Sequence, residues 1–423
     1  MKTEKIDFKN MGGPEVILYP GAIDSLAGAL SDKGIKSVFV FADKNTYSAA
    51  GEKVVKVLCD GGIKTKKYIF KAEKIEPNES FVGLASMNFD PSVDAVIGVG
   101  SGVINDISKI IANLSGKKYV VVGTAPSMDG YASATSSMNM DGLKVSLSSK
   151  CPDVIIGDID VLKNAPLKML KSGFGDMLAK YVSIAEWRIS HEITGEYYCE
   201  RVAELIRKAL KQCVDNAEGL LNREEEAVKA VFEGLIIGGA AMSFAKVSRP
   251  ASGVEHYISH ILDMRGLEFG TKTESHGIQC AVGTFYALKL YDKLQKIIPN
   301  KEKALKHAEN FDFTKWSEEL RSFVGKGADA MIALEEKEQK YNIEKLRKRL
   351  DIICENWGEI LRIIKEELPS IPDFEKMFDR LGIPKTLSEI GLEEEIFDMT
   401  FKASKDIRDK YVLSRLYWDL GEA

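Results

Sequence analysis

The first 160 residues of the chain alternate short β-branched runs with helical patterns, and this alternation constrains the fold more than any other feature. Repeated strand–helix alternation is typical of a parallel sheet that is covered by helices on both faces. The predicted strands are 16–19, 38–41, 68–70, 95–97 and 119–122. The predicted helices are 22–30, 54–58, 81–87 and a helix that begins at residue 102.

The strand patterns end near Leu162, and long amphipathic helical patterns follow. Pro152 and Pro166 bracket the change. We therefore expect an α/β nucleotide-binding domain over residues 1–160, followed by an all-α domain over residues 161–423. The stretch 330–368 is charged, periodic and free of proline, which predicts long helices. A solvated helical pair is favoured there over a coiled-coil arm or a dimer contact.

Composition sets limits on partners and compartment. The net charge is −5 and the basic residues are scattered, so nothing indicates nucleic-acid binding. Six cysteines without a C-x-x-C pair indicate reduced thiols of a cytoplasmic protein. The N-terminal decapeptide is polar and has no apolar signal region. The most apolar window, 235–244, is too short and glycine-rich to span a membrane, and it predicts a buried helix. We expect no membrane partner, and a homo-oligomer with a dimer favoured.

Chemistry-bearing residues collect where the predicted strands end. Ligands of parallel sheets lie beyond the carboxyl ends of the strands, which brings Asp43, the loop 98–102 and Thr124 to one edge. The glycines of loop 98–102 would let backbone N–H groups reach a phosphate at a helix N-terminus. The loop lacks the Gly-Lys-Ser/Thr of a P-loop and is not a strict G-x-G-x-x-G, and many strand-to-helix turns contain glycines.

Two features at this edge have an ordinary explanation as well. Asp43 is placed to hold ribose hydroxyls, but it is equally suited to cap the following helix. The loop 124–133 carries hydroxyls and an acid, and most loops of that composition are Asx or Ser/Thr turns. Its position beside the glycine loop favours contact with a cofactor or a substrate.

Three of the chain's five histidines lie between residues 256 and 276. His256 and His260 share one helical face, and His276 precedes a glycine. A catalytic metal site needs about three protein ligands and an open position, and Asp176, flanked by glycine, offers a carboxylate. A histidine pair at this spacing is more often a surface or core feature. When His276 and Asp176 are added, a metal site and an ordinary surface or core role are about equally supported. The pattern is not H-E-x-x-H.

Taken together, the motifs resemble the glycerol-1-phosphate dehydrogenase family, especially its AraM-like bacterial branch. The motifs are G-V-G-S-G-x-I-N-D-x-x-K, T-A-P-S-M-D-G-Y-A-S, G-F-G-D, R-P-A-S-G-x-E-H-x-x-x-H and S-H-G. They occur in the same order between about residues 38 and 285, and 381–391 resembles the L-G-x-P-x-T-L-x-E-x-G of the wider superfamily. That superfamily contains iron-containing alcohol dehydrogenases and dehydroquinate synthases.

The resemblance implies a dehydroquinate synthase-like fold and a role for each matching residue. It implies one divalent ion, with Zn²⁺ as the first choice and Ni²⁺ or Fe²⁺ as alternatives, on Asp176, His256 and His276. It assigns Asp129, Asp176 and His260 to substrate and catalysis. The residues implied to bind NAD(P) are Asp43, Gly100, Ser101, Gly102, Thr124, Ser127 and Ser133. Val103 departs from the threonine of many relatives, which removes one polar contact expected to the cofactor.

The implied reaction is the reversible reduction of dihydroxyacetone phosphate to sn-glycerol 1-phosphate, so the expected partner is a small phosphorylated substrate. Two enzymes of the same fold are alternatives: a polyol dehydrogenase acting on glycerol, and a dehydroquinate synthase-like lyase. The lyase should carry more basic residues around its substrate, and the loop 124–133 argues against it. A nucleotide-binding regulator without turnover would not need an open metal site.

Overall fold

The computed structural model describes residues 13–141 and 143–422. The polar N-terminal decapeptide, on which the sequence-based expectation of no signal region rests, lies outside the described residues. The chain forms two compact units, each made of two stretches. The first unit is Met1–Met177 with Lys208–Ser248, and the second is Leu178–Arg207 with Arg249–Ala423.

The sequence predicts a domain boundary at residue 160. Lys208–Ser248 belongs to the first unit although it follows that boundary. Helical chain therefore contributes to both units. The boundary stays a prediction.

The first unit is built on a six-stranded parallel sheet with the order β1-β8-β5-β4-β2-β3. A separate antiparallel hairpin pairs β6 with β7. The strands are β1 Glu15–Tyr19, β2 Ser37–Asp43, β3 Lys64–Phe70, β4 Ala95–Gly100, β5 Lys118–Gly123, β6 Thr135–Met140, β7 Leu143–Ser148 and β8 Val154–Asp158. All five predicted strands are present. The hairpin and β8 are additional.

Burial explains why these segments form a central sheet. Every residue of β4 and of β8 is buried, as expected for parallel strands with helices on both faces. The side chains of Val38, Ile97 and Val120 belong to one buried apolar cluster. The predicted α/β class of the N-terminal part is therefore confirmed.

The rest of the described chain is mainly helical. The first ten are α1 Leu26–Asp32, α2 Lys44–Thr46, α3 Glu52–Asp60, α4 Glu79–Asn88, α5 Gly102–Leu114, α6 Ile159–Leu162, α7 Leu167–Leu178, α8 Lys180–Thr194, α9 Glu200–Asp215 and α10 Glu225–Ala245. The remaining ten are α11 Val254–Phe269, α12 His276–Leu294, α13 Lys301–Glu309, α14 Phe313–Val324, α15 Gly327–Glu338, α16 Ile343–Glu355, α17 Trp357–Glu367, α18 Ile371–Leu381, α19 Phe397–Ser404 and α20 Leu413–Asp419.

Helix α10 contains the apolar window 235–244 for which a buried helix is predicted. It is long and apolar enough to cross a membrane by length and composition alone, and 72% of its most apolar window is buried. Gly239 lies so close to the loop before β6 that a Cβ would stand 2.6 Å from the Asp129 carbonyl oxygen. The glycine-rich face of α10 is therefore a packing surface.

The second unit contains no strand among its described residues, which confirms the predicted change to helical structure. Its largest apolar cluster joins helices that are far apart in sequence, for example through Val182, Tyr257, Tyr291 and Ile363. Pairing of amphipathic helices in this way buries their apolar faces.

Residues 330–368 are largely helical, as predicted, but they form three helices of ordinary length. Helices α15, α16 and α17 contain 12, 13 and 11 residues. Gln339 adopts a left-handed conformation with φ 49°, and the side chain of Asn342 caps the next helix. Each helix also buries apolar residues in the core, so this stretch is neither a coiled-coil arm nor a solvated pair.

Candidate active site

In the first unit, the carboxyl ends of β4 and β5 meet as the sequence predicts. The N–H group of Thr124 donates to the carbonyl oxygen of Gly100 at 3.1 Å. A Cβ on Gly100 would stand 2.6 Å from the Cβ of Ile104, so glycine lets helix α5 begin directly after the strand. The backbone of the glycine loop and the start of loop 124–133 therefore lie side by side.

Ser101 is the N-terminal residue flanking α5, but its side chain does not cap the helix. Its hydroxyl is hydrogen-bonded to Ser127 and accepts a hydrogen bond from Tyr131 at 3.2 Å. Because that side chain is engaged elsewhere, it does not cover the backbone N–H groups of the first turn of α5. Such N–H groups attract anions.

Lys109 shapes the loop that ends at residue 135. It is the lysine that closes the motif G-V-G-S-G-x-I-N-D-x-x-K, to which the sequence analysis gave no role of its own. Its buried ammonium donates to the carbonyl oxygens of Gly130, Ser133 and Thr135 at 2.8, 3.1 and 3.1 Å. Burial lowers the pKa of Lys109, and burial raises the pKa of Asp106 to about 7. The hydroxyl of Ser133 donates within the same network, 3.1 Å from the carbonyl oxygen of Gly130. Ser133, predicted to bind cofactor, thus has a structural role.

Helix α7 packs closely against loop 124–133. Ser172 donates to the carbonyl oxygen of Ser127 at 3.0 Å. A Cβ on Gly173 would stand 1.9 Å from the carbonyl oxygen of Pro126. One turn later, the Asp176 carboxylate accepts a hydrogen bond from the N–H group of Asp129 at 2.9 Å. Asp129 and Asp176, two of the three predicted acidic residues of the first unit, are therefore neighbours.

Asp43 lies at the end of β2 and caps α2. Its carboxylate accepts from the N–H group of Thr46 at 2.7 Å, and the Thr46 hydroxyl accepts from the N–H group of Asp43 at 3.0 Å. This reciprocal arrangement is a capping box. Capping is one of the two roles that the sequence left open for Asp43, and the contact with ribose stays a prediction.

In the second unit, helices α11 and α12 bring the predicted histidines together. A Cβ on Gly283 would stand 2.7 Å from the carbonyl oxygen of Glu255, so glycine permits close approach of the two helices. The rings of His256 and His276 have centroids 5.1 Å apart. The thiol of Cys280 joins them, and the ligand atoms of these three residues lie within 4.8 Å of one another.

Cys280 is a residue that sequence analysis missed. It follows His276 by four positions, so both project from one face of α12. Its Sγ atom lies 3.6 Å from the Nε2 atom of His276. The spacing could have revealed it, but all six cysteines were interpreted as ordinary thiols.

Glu255 orients His256 from the start of α11. Its Oε1 atom accepts from the N–H group of Gly253 at 2.7 Å and lies 2.8 Å from the Nδ1 atom of His256. Nδ1 is the donor in this contact, which leaves Nε2 as the acceptor and potential metal ligand. A carboxyl group that fixes a ring nitrogen in this way is common behind metal-bound histidines.

A second buried acid explains the glycine in the R-P-A-S-G motif. A Cβ on Gly253 would stand 2.7 Å from carboxyl oxygens of both Glu186 and Glu255. Glu186 also accepts from the N–H groups of Val254 and Leu413 at 2.9 and 2.8 Å. Burial, with the nearby charge of Glu255, raises the pKa of Glu186 to about 8. Two acids therefore occupy the positive end of α11.

His260 lies one turn after His256 and is half-buried. Its ring centroid is 6.1 Å from that of His276 and 6.3 Å from that of Tyr257. It faces the same histidine as His256 does, at a longer distance. Ser259 approaches His276 as well, with its hydroxyl 3.2 Å from Nδ1.

The donor set of the second unit suits a borderline divalent metal. Zinc, nickel and iron accept imidazole nitrogen and thiolate sulfur. Metal–nitrogen and metal–sulfur distances of about 2.0–2.3 Å require ligand atoms within a few ångströms of one another, as these are. The first unit in turn offers a glycine-bordered helix start for the phosphates of a dinucleotide.

Comparison with known proteins agrees with this chemistry. Residues 17–166 match the family model described as iron-containing alcohol dehydrogenase. The chain is 34% identical over 303 residues to glycerol-1-phosphate dehydrogenase (NAD(P)+) of Bacillus velezensis, covering 70% of this chain and 77% of the relative. The enzyme of the same name from Halalkalibacterium halodurans is 28% identical over 402 residues, covering 94% and 90%.

Solved structures share the fold. A probable glycerol dehydrogenase from Sinorhizobium meliloti superposes with a TM-score of 0.61 at 18% identity, covering 97% of this chain and 98% of that one. An iron-containing alcohol dehydrogenase from Thermococcus thioreducens superposes with a TM-score of 0.60 at 14% identity, covering 93% and 91%. The chain belongs to the glycerol-1-phosphate dehydrogenase family of the iron-containing alcohol dehydrogenase superfamily.

Proposed function

We propose that this protein interconverts dihydroxyacetone phosphate and sn-glycerol 1-phosphate, using NAD(P) and one divalent metal ion. The observation that carries the proposal is the similarity to enzymes named glycerol-1-phosphate dehydrogenase (NAD(P)+), which spans 77–90% of their length. The protein acts in the cytoplasm as a homo-oligomer, with a dimer favoured.

Asp176, His256 and His276 hold the metal in this proposal. The pairing of the two histidines at 5.1 Å supports their part, as does the orientation of His256 by Glu255. Asp176 supplies the carboxylate from the first unit. Zn²⁺ is the first choice of ion, with Ni²⁺ or Fe²⁺ as alternatives, because mixed nitrogen and oxygen ligands suit all three. The thiol of Cys280 is an additional soft ligand available to the metal.

The remaining roles in the proposed reaction belong to His260 and Asp129. When bound, the metal supplies Lewis-acid polarisation of the carbonyl and the nicotinamide supplies the hydride. His260 hydrogen-bonds the substrate and relays the proton that the new alkoxide requires. Asp129 orients the substrate from the first unit, and its N–H group keeps the Asp176 carboxylate in place.

The dinucleotide lies along the carboxyl edge of the sheet. Gly100, Ser101 and Gly102 give its phosphates access to the N-terminus of α5. In loop 124–133, the residues that contact the dinucleotide are Thr124, Ser127 and Ser133. Asp43 faces the adenosine ribose. The hydrogen bond between Thr124 and Gly100 supports this assignment because it fixes the two loops side by side.

The test is NADH oxidation by the metal-loaded enzyme with dihydroxyacetone phosphate and with dihydroxyacetone, and a separate assay of a synthase substrate with NAD⁺. Dihydroxyacetone phosphate should be turned over with a kcat/KM at least 100-fold above that for dihydroxyacetone. Equal or better use of dihydroxyacetone would identify a polyol dehydrogenase instead. Formation of dehydroquinate from the heptulosonate phosphate substrate of a synthase would identify a lyase. No turnover, with NADH still bound, would leave a nucleotide-binding regulator.

A further inference from the structure

A cavity of about 340 Å³ lies within the second unit. It is lined by residues from the end of α8, the loop before α16, α16, the segment before α20 and α20 itself. Four of the lining side chains are cationic, and they are Lys340, Arg349, Lys410 and Arg415. Two are acidic, and they are Glu196 and Asp409. None of the residues assigned to the metal, the substrate or NAD(P) lines this cavity.

The acidic lining is already neutralised or lies at the surface. Glu196 is bound by the buried guanidinium of Arg249, whose Nε atom donates to both carboxylate oxygens at 2.8 Å. Asp409 is exposed to solvent. Arg349 is likewise satisfied, because it forms a fork with Asp419 at 2.6 and 2.8 Å. The positive charge of the cavity therefore comes mainly from the other three cationic residues, which are Lys340, Lys410 and Arg415.

Arg415 is a buried cation, and not all of its N–H donors are used in hydrogen bonds within the described chain. Only 2% of its surface is exposed, and its Nη2 atom donates to Asp406 at 2.7 Å. Its Nε and Nη1 atoms have no hydrogen-bond partner within the described chain. Buried donors without partners are costly, and each of these two N–H groups can donate to an oxygen of a phosphate.

The two lysines have only backbone partners. Lys340 donates to the carbonyl oxygen of Arg408 at 2.9 Å, and Lys410 donates to that of Ser252 at 3.2 Å. Burial, with the nearby arginines, lowers the pKa of Lys340 to about 8 and that of Lys410 to about 7. A bound anion would supply the charge that both ammonium groups lack.

Three buried carboxyl groups of the described chain lie nearby without lining the cavity. Asp419 pairs with Arg349. Asp406 pairs with both Arg415 and Lys405. Glu335 accepts from the N–H group of Tyr341 at 2.9 Å, and burial raises its pKa. A carboxyl group whose neutral form is favoured compensates cations poorly. The cluster therefore retains an excess of positive charge.

We propose that this cavity binds a phosphate-class oxyanion, either free phosphate or the phosphate group of a small monoester, between Lys340, Lys410 and Arg415. The cavity is larger than one phosphate group, so a monoester fits the space. The site is separate from the reaction centre. Lys410 approaches helix α11 through the ring of Tyr257, at 5.7 Å from its centroid, and not through the histidines. The proposal rests on the second unit alone and stands whether or not the proposed reaction is correct.

The test is calorimetric titration of the full-length, metal-loaded protein with inorganic phosphate at constant ionic strength. We expect saturable binding of one phosphate per chain, and glycerol phosphate should compete for the site only if the cavity takes small monoesters as well as free phosphate. Lys340→Gln and Lys410→Gln should each weaken this binding at least tenfold. Lys337→Gln should leave it unchanged, because Lys337 is exposed and pairs with Glu338.

Three results would overturn the proposal. Absence of saturable phosphate binding would remove the site. A KM for dihydroxyacetone phosphate that is raised in both lysine variants would make the cavity the phosphate subsite of the substrate. Unchanged binding in both variants, with circular dichroism spectra like that of the wild type, would place the phosphate elsewhere.

Discussion

At the scale of single residues, each histidine of helices α11 and α12 has its own neighbour. His256 contacts Glu255, His276 contacts Ser259 and Cys280, and His260 lies near Tyr257. The three side chains share one small region but differ in how their ring nitrogens are engaged. Different substitutions should therefore produce different defects.

His256→Ala and His260→Ala should separate metal binding from proton transfer. His256→Ala is expected to lose metal and activity together. His260→Ala should keep the metal and bind NADH normally, while kcat falls by roughly 10²–10⁴-fold if His260 moves a proton. Metal content by elemental analysis and steady-state kinetics measure both. Metal-free His260→Ala protein would place His260 among the ligands.

Glu255→Gln should weaken metal binding without removing a ligand. Partners that fix the ring of a ligating histidine typically contribute 10–100-fold in metal affinity. We expect a loss of that size in a competition titration with a chelator. Glu186→Gln is the matched control, since Glu186 occupies the same helix start but does not contact His256. Equal losses in both variants would show a general effect on the start of α11.

Asp43→Asn should shift cofactor preference towards NADPH. Asparagine caps a helix about as well as aspartate, so α2 keeps its N-cap while the carboxylate charge that repels a 2′-phosphate is lost. The wild-type enzyme should use NADH at least as well as NADPH. An unchanged ratio of the two kcat/KM values in Asp43→Asn would limit Asp43 to its capping role.

At the scale of secondary-structure elements, the features set by local sequence patterns were more predictable than the features set by tertiary contacts. Strands β4 and β5 were predictable because each is a continuous apolar run. The break between α15 and α16 was not, because a left-handed Gln339 and the Asn342 cap interrupt the helix without disturbing its charged, periodic composition.

The same limit applies within the candidate site. Spacing indicated the histidine pair and placed Asp176 beside a glycine. It could not reveal Lys109, whose role depends on carbonyl oxygens more than 20 residues away. Nor could it reveal that Gly173 contacts Pro126, because that contact exists only once α7 has packed against the loop.

Gly173→Ala should disturb the packing of helix α7. The added methyl group would collide with a backbone carbonyl oxygen, and such overpacking costs about 1–3 kcal/mol of unfolding free energy. Gly83→Ala is the matched control in α4 of the same unit, where a Cβ meets nothing within 4 Å. It should be neutral or stabilising by up to about 1 kcal/mol. Equal denaturant midpoints for both variants would contradict the close contact.

At the scale of the whole molecule, the two units supply different halves of the proposed chemistry. The first offers the sheet edge, the helix start of α5 and the Asp129–Asp176 contact. The second offers the paired histidines and the buried Glu255 that orients His256.

The most direct test of the central claim is oxidation of the two enantiomeric glycerol phosphates by the metal-loaded enzyme with NAD⁺. The account predicts turnover of sn-glycerol 1-phosphate, little or none of sn-glycerol 3-phosphate, and loss of the activity on treatment with a chelator. Restored activity on addition of a divalent ion should follow in the wild type and not in His256→Ala. Preferential oxidation of sn-glycerol 3-phosphate, or full activity in metal-free enzyme, would contradict it.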